Sequence, residues 1–256
     1  MYPILLQIGP FTLYSLWILF AIGILISLIV VNQLEKKKFV NLSFFADNSL
    51  LIFFTGLILA RLFFVMENFN YFLASGNFWE VFYIWDKGLS LWGGVLGVFL
   101  SLFLLARKEK EDFKAWSDIL ITSFMAGGIF VNIGTFLDGR NSGSPTDLPW
   151  GIILESSQYA IPIHPVQIYA ALYCLLIFIT LYQCFNLKFF KQSGNISLLG
   201  ISLYGLFRFL EEFMRGDEID KYFNLISLPQ LFSLLAFIIG IILLHRQYKK
   251  HLTENN

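Results

Sequence analysis

Seven apolar stretches divide this chain, each close to the roughly 20 residues that a helix needs to cross a bilayer. They run at about 12–33, 44–66, 88–106, 117–138, 165–185, 196–213 and 228–245. Few folds are open to a chain patterned in this way. Hydrocarbon offers no partner for backbone N–H and C=O groups, so each stretch must close its own hydrogen bonds as a helix. The sequence therefore predicts an all-α, polytopic membrane protein: one domain over residues 1–256 with seven transmembrane helices. Only 14% of the residues are charged, where a soluble domain carries about a quarter. The third to sixth stretches are interrupted by polar or glycine-rich segments, which are tolerated only where they face protein or a water-filled cavity. The first charge is Glu35. A secretory leader places positive charge ahead of its apolar core, so the first stretch is expected to be a retained span.

Basic residues in the connections set the expected orientation. Lys36, Lys37 and Lys38 follow the first span; Arg107, Lys108, Lys110 and Lys114 follow the third; Lys188 and Lys191 follow the fifth; Arg246, Lys249 and Lys250 follow the last. The opposite connections hold only Lys87, Arg140, Arg215 and Lys221. The N-terminus is therefore expected outside and the C-terminus in the cytoplasm. A net charge of zero leaves no nucleic-acid footprint. Cys174 and Cys184 fit no metal spacing and are read as packing residues, and none of the three histidines pairs at ligand distance, so no metal or cofactor is expected. His245 and His251 belong to the basic tail and read as solvated. Gly93, Gly94 and Gly97, with Gly127 and Gly128, read as close helix packing rather than a phosphate cradle.

The stretch LYGLFRFLEEFMRGDE, residues 203–218, breaks the apolar pattern. In a helix Tyr204, Arg208 and Glu212 fall on one face, with Arg215 near the same stripe. Glu211 falls about 100° away, toward water or another helix. Charges at membrane depth face the interior and find partners. Two readings are open. Arg208 and Glu212 form a self-neutralised structural pair, or the guanidinium is an anion site, since its planar fork suits phosphate. A second interior arginine, Arg61, has no acid within one turn, and the abundant anion in a bilayer is lipid phosphate.

This stretch resembles the YGxxRFxxEFxR helix of the bacterial prolipoprotein diacylglyceryl transferase family. Further segments match in order: IGPFTLYSLWIL with an interior tyrosine at Tyr14, ARLFFVMENFNYF with Arg61, GLSLWGG against GMSFHGG, GSPTDLPWGI, HPVQIYAALY against HPTQLYE, and SLPQLFSLLAFIIG with Gln230. The resemblance implies an enzyme of the bacterial inner (cytoplasmic) membrane. It would move the diacylglyceryl group of phosphatidylglycerol, a membrane lipid, to the lipobox cysteine beside the signal-peptide region of a preprolipoprotein. Attack by sulfur needs a thiolate, and the departing phosphate needs cationic stabilisation; neither step needs a metal. On the resemblance the catalytic candidates are Arg208, Tyr204, Glu212, Tyr14 and Arg140. The substrate-binding candidates are Arg61, Asn132, Gly134, Thr135, His164, Gln167 and Gln230. His164 beside Pro165 also suits a helix start.

Several family positions differ. Trp92 stands for a histidine, Asn132 for an arginine, Thr135 and Asp138 for asparagines, Arg140 for a glutamate, and Ala170 for a second glutamate. A rearranged site, in which Arg140 supplies the cation missing at Asn132, is one account. A non-catalytic relative that binds phospholipid or lipoprotein is another. An anion transporter is a third, and the absence of internal repeats counts against it.

Overall fold

The computed structural model describes residues 3–8, 11–83, 88–139, 143–153, 161–216, 221–222 and 226–255. The chain is mostly helical and forms two compact units, Phe39–Ser117 and a second made of Met1–Lys38 with Asp118–Asn256.

The first unit holds helix α2 (Leu42–Glu67), the short helix α3 (Phe69–Ser75), a 3-10 turn at Phe78–Phe82, helix α4 (Leu91–Glu109) and the opening turn of α5 (Phe113–Asp138). Asn41 caps α2 by accepting from the Ser43 N–H at 3.1 Å. The glycines of α2 and α4 let the two backbones meet, as expected. A Cβ on Gly97 would stand 2.8 Å from the Gly56 Cα and the Thr55 carbonyl oxygen. Trp116 is fully buried against Phe44 and Phe45, with ring centroids 5.7 and 5.4 Å away. Between α2 and α4 the aromatic segment forms α3 and the 3-10 turn.

The second unit opens with an antiparallel hairpin, β1 (Ile4–Ile8) and β2 (Phe11–Tyr14), and α1 (Ser15–Lys38) follows directly. This corrects the first predicted span, whose residues 12–14 are strand. Both strands are mostly apolar, with Gln7 and Thr12 as their polar members, and a mostly apolar run does not by itself separate strand from helix. The remainder of α5, then α6 (Val166–Cys184), α7 (Asn195–Glu212), a small hairpin of β3 (Lys221–Tyr222) and β4 (Ile226–Ser227), and α8 (Leu228–Asn255) complete the unit. The last span is longer than expected because its basic tail stays helical. Within that tail His251 meets the Phe189 ring edge-on at 5.7 Å, so it is packed where a solvated residue was expected.

Helices α7 and α8 cross at glycine: a Cβ on Gly205 would lie 2.6 Å from the Ser233 carbonyl oxygen. The start of α7 is held by a distant carboxylate. Asp118 accepts from the Gly194 N–H at 2.9 Å and the Ser197 N–H at 2.7 Å, satisfying donors that a helix start leaves open. Lys38 meets Asp118 at 2.8 Å and also donates to the Phe190 carbonyl at 3.0 Å, with both charged side chains almost fully buried. One ion pair thus ties the ends of α1, α5 and α7 together. Among the described helices five are long and apolar enough to cross a membrane: Ser15–Lys38, Leu42–Met66, Phe113–Asp138, Val166–Cys184 and Pro229–Thr253. The chain is a multi-pass membrane protein on this pattern.

Candidate functional site

The last turn of α7 gathers four charges. One Arg208 nitrogen lies 2.8 Å from Glu212 Oε2 and 3.2 Å from Glu211 Oε1. Arg215, just beyond the helix, approaches Glu211 at 3.7 Å and Glu212 at 3.9 Å. The spacing explains this arrangement, since both acids sit three or four residues from both arginines. Glu211 was expected to point away from the stripe. Of the two expected surroundings it meets another helix, α6, and not water, and the two arginines bracket it as well as Glu212.

Two neighbouring elements close on the acids. From α6, the Tyr173 hydroxyl donates to Glu211 Oε2 at 2.7 Å. Tyr173 stacks flat on Phe207 at 5.6 Å and meets Tyr204 edge-on at 5.9 Å. From β4, the Ser227 hydroxyl donates to Glu212 Oε1 at 3.1 Å. The same hydroxyl accepts from the Gln230 N–H at 3.3 Å, while Gln230 Oε1 accepts from the Ser227 N–H at 3.0 Å. This reciprocal pair is a capping box at the start of α8. Gln230, expected at the substrate, is engaged in that cap.

The segment carrying GSPTD docks on the end of the same helix. Gly143 bridges Arg215, and the Ser144 N–H donates to the Met214 carbonyl at 2.8 Å. The His164 N–H donates back to the Ser144 carbonyl at 3.0 Å. His164 Nδ1 lies 3.3 Å from the Tyr169 hydroxyl, which accepts from Trp150 Nε1 at 2.7 Å. Gly143 has no room for a side chain, since a Cβ would collide with the His164 carbonyl.

On α5, Asn132 Nδ2 donates to the Gly128 carbonyl at 2.8 Å and to Cys174 Sγ at 3.7 Å. Cys174 adjoins Tyr173, so Asn132 reaches the edge of the α7 cluster through α6. Thr135 donates to the Asn132 carbonyl at 2.8 Å, a local back-bond. Gly134 packs against α1, where a Cβ would lie 3.2 Å from Leu19 Cβ, so its role here is close packing. Gln167 is buried on α6. Tyr14 ends β2 and is 41% exposed, so it is neither helical nor interior as expected. Arg140 lies outside the described residues.

Arg61 belongs to the other unit and is described within it. Its guanidinium donates to the backbone carbonyls of Val81 at 2.8 Å, Glu80 at 2.6 Å and Gly88 at 3.2 Å. Its carbon lies 5.5 Å from the ring centres of both Phe64 and Phe72. The lack of an acid within one turn suggested an anion from outside. The described contacts direct this fork at carbonyls 19, 20 and 27 residues ahead, which sequence spacing does not reveal. Sequence reading also passed over Tyr173 and Ser227 and left Glu211 out of the candidate site. The 208/211/215 spacing was a usable signal for Glu211; the other two lie on different elements.

A family model described as prolipoprotein diacylglyceryl transferase matches residues 3–246. Similar proteins named phosphatidylglycerol–prolipoprotein diacylglyceryl transferase occur in several bacteria. The Bordetella avium protein is 32% identical, with 94% of this chain and 92% of that protein aligned. A form numbered 1 from Clostridium perfringens is 31% identical, over 94% and 93%. The Vibrio cholerae protein is 28% identical, over 99% and 94%.

Proposed function

The chain belongs to the prolipoprotein diacylglyceryl transferase family, and from that premise we propose that it transfers diacylglyceryl from phosphatidylglycerol to the lipobox cysteine of a preprolipoprotein. It acts in the bacterial inner membrane as one domain of seven spanning helices, N-terminus outside and C-terminus in the cytoplasm. The basic connections support that orientation. The observation that carries the activity is the buried four-charge cluster at the end of α7, clamped by Tyr173 and Ser227.

A phosphate entering there exchanges with the carboxylates for the guanidinium forks of Arg208 and Arg215. The cysteine sulfur attacks the glycerol carbon, an S–C bond forms, and the C–O bond to phosphate breaks with its electron pair on oxygen. Arginine charge in a dry site stabilises that leaving group. Tyr204, edge-on to Tyr173, lines the same cluster. Asn132 and Thr135 on α5, His164 just before α6 and Gln167 on α6 are candidates for contacting lipid or peptide.

The test uses purified full-length protein in detergent, phosphatidylglycerol labelled in its acyl chains, and a lipobox peptide with a free cysteine. Label moves to the peptide, and replacing that cysteine by alanine abolishes the transfer. One observation favours a second reading, a lipid-binding relative without chemistry: the neutral Asn132 amide is fastened to Gly128 and Cys174 where the resemblance implies an arginine. No transfer, with phosphatidylglycerol still bound and released by Arg208→Ala, would select that reading.

A further inference from the structure

We propose that Glu211 is the proton acceptor for the substrate thiol, with Tyr173 as the partner that lets it hold the proton. This rests on the transferase reading. Among the described residues the four charges balance: Arg208 and Arg215 face Glu211 and Glu212. Sulfur attack requires that the S–H bond give up its proton to a base. As the C–O bond breaks, the phosphodiester monoanion becomes a phosphomonoester dianion. If Glu211 has taken the thiol proton, these four groups together gain one positive charge as that second negative charge appears. The proton lost by sulfur is the one gained by Glu211, and the arginine charge it released faces the leaving group.

The contacts distinguish the two acids. Glu212 lies closer to Arg208, at 2.8 Å, and its second oxygen is met by a serine hydroxyl already accepting from the Gln230 N–H. Glu211 lies 3.2 and 3.7 Å from the two arginines, and its second oxygen is met by a phenol. An arginine can only donate, whereas a phenol oxygen donates or accepts. The 2.7 Å contact from Tyr173 therefore survives protonation with its direction reversed, and Tyr204 provides the adjoining phenol. Beside Tyr173 on α6, Cys174 is met by Asn132 of α5 at 3.7 Å.

The test compares Glu211→Gln with the unaltered full-length protein on two lipobox peptides, one with cysteine and one with selenocysteine at the acceptor position. Glutamine keeps the shape and can still accept from Tyr173, but it takes up no proton at neutral pH. A selenol is already ionised at neutral pH and needs no base. Transfer to cysteine falls about 100-fold or more, the usual worth of a positioned base, while transfer to selenocysteine stays within a few-fold. Tyr173→Phe repeats the selectivity with a loss of about tenfold. Equal losses on both peptides, or an unchanged rate on cysteine, overturn the assignment. Failure of the unaltered protein to modify either peptide refutes the transferase reading, and the assignment with it.

Discussion

Arg208 and Arg61 are both arginines set in apolar helices, yet what meets each guanidinium differs in kind. Arg208 is met by carboxylates from its own helix, at 2.8 and 3.2 Å. Among the described residues, Arg61 is met by three backbone carbonyls, at 2.6 to 3.2 Å. A carboxylate is an anion that another anion can replace, so a guanidinium paired this way is a site with an occupant already in place. A carbonyl belongs to the chain path, and no ligand displaces it without moving the backbone. The first arrangement suits exchange with a headgroup, and the second suits fixing the chain that follows α2. Arg61 was expected to bind lipid; its described carbonyl contacts are those of a staple.

The largest effect should come from Arg208→Ala. Labelled-lipid transfer is expected to fall about 100- to 1,000-fold, as when one donor to a developing oxyanion is lost. An unaltered rate would remove the anion site and with it the contrast. Next is Arg61→Lys set beside Arg61→Ala. Lysine keeps the charge but lacks the fork, so both variants should lose thermal stability in detergent and expose residues 76–83 to protease. Each charged hydrogen bond lost is worth about 1.5–3 kcal/mol. Full rescue by lysine would show that charge alone matters at Arg61. Gly97→Val should cost about 1–3 kcal/mol of stability by overpacking α2 against α4. Transfer by the protein that remains folded should change little; a large loss would tie that crossing to the chemistry. Smallest is Ser227→Ala, expected to cost about 1 kcal/mol through the α8 cap and to slow transfer a few-fold through Glu212.

Much of the helical layout was legible because hydropathy and helix length are local. Each expected span overlaps a long helix, and the expected glycine packing recurs at Gly97 and Gly56. The opening hairpin was not, although Gly9-Pro10 is a turn signal within the apolar run. For the site, i,i+4 spacing found the Arg208–Glu212 pair. It could not find Tyr173, which arrives from α6, or assign Gln230, whose carbonyl closes a cap. The described contacts of Arg61 were illegible for the same reason: these acceptors are backbone atoms, and carbonyls carry no residue identity.

Lys38 acts at two moments in the life of the molecule. While the chain is being inserted, it is one of three consecutive lysines that, on the proposed orientation, keep the end of α1 from crossing. Once α5 and α7 have arrived, its ammonium is enclosed against Asp118 and no longer faces water or headgroups. Insertion therefore has to place this cation before its counter-charge, 80 positions later in the chain, has been synthesised. Replacing Lys38 by a neutral residue leaves Lys36 and Lys37 to set direction but strands Asp118 at assembly. The damage would appear in a correctly threaded protein whose helices fail to lock.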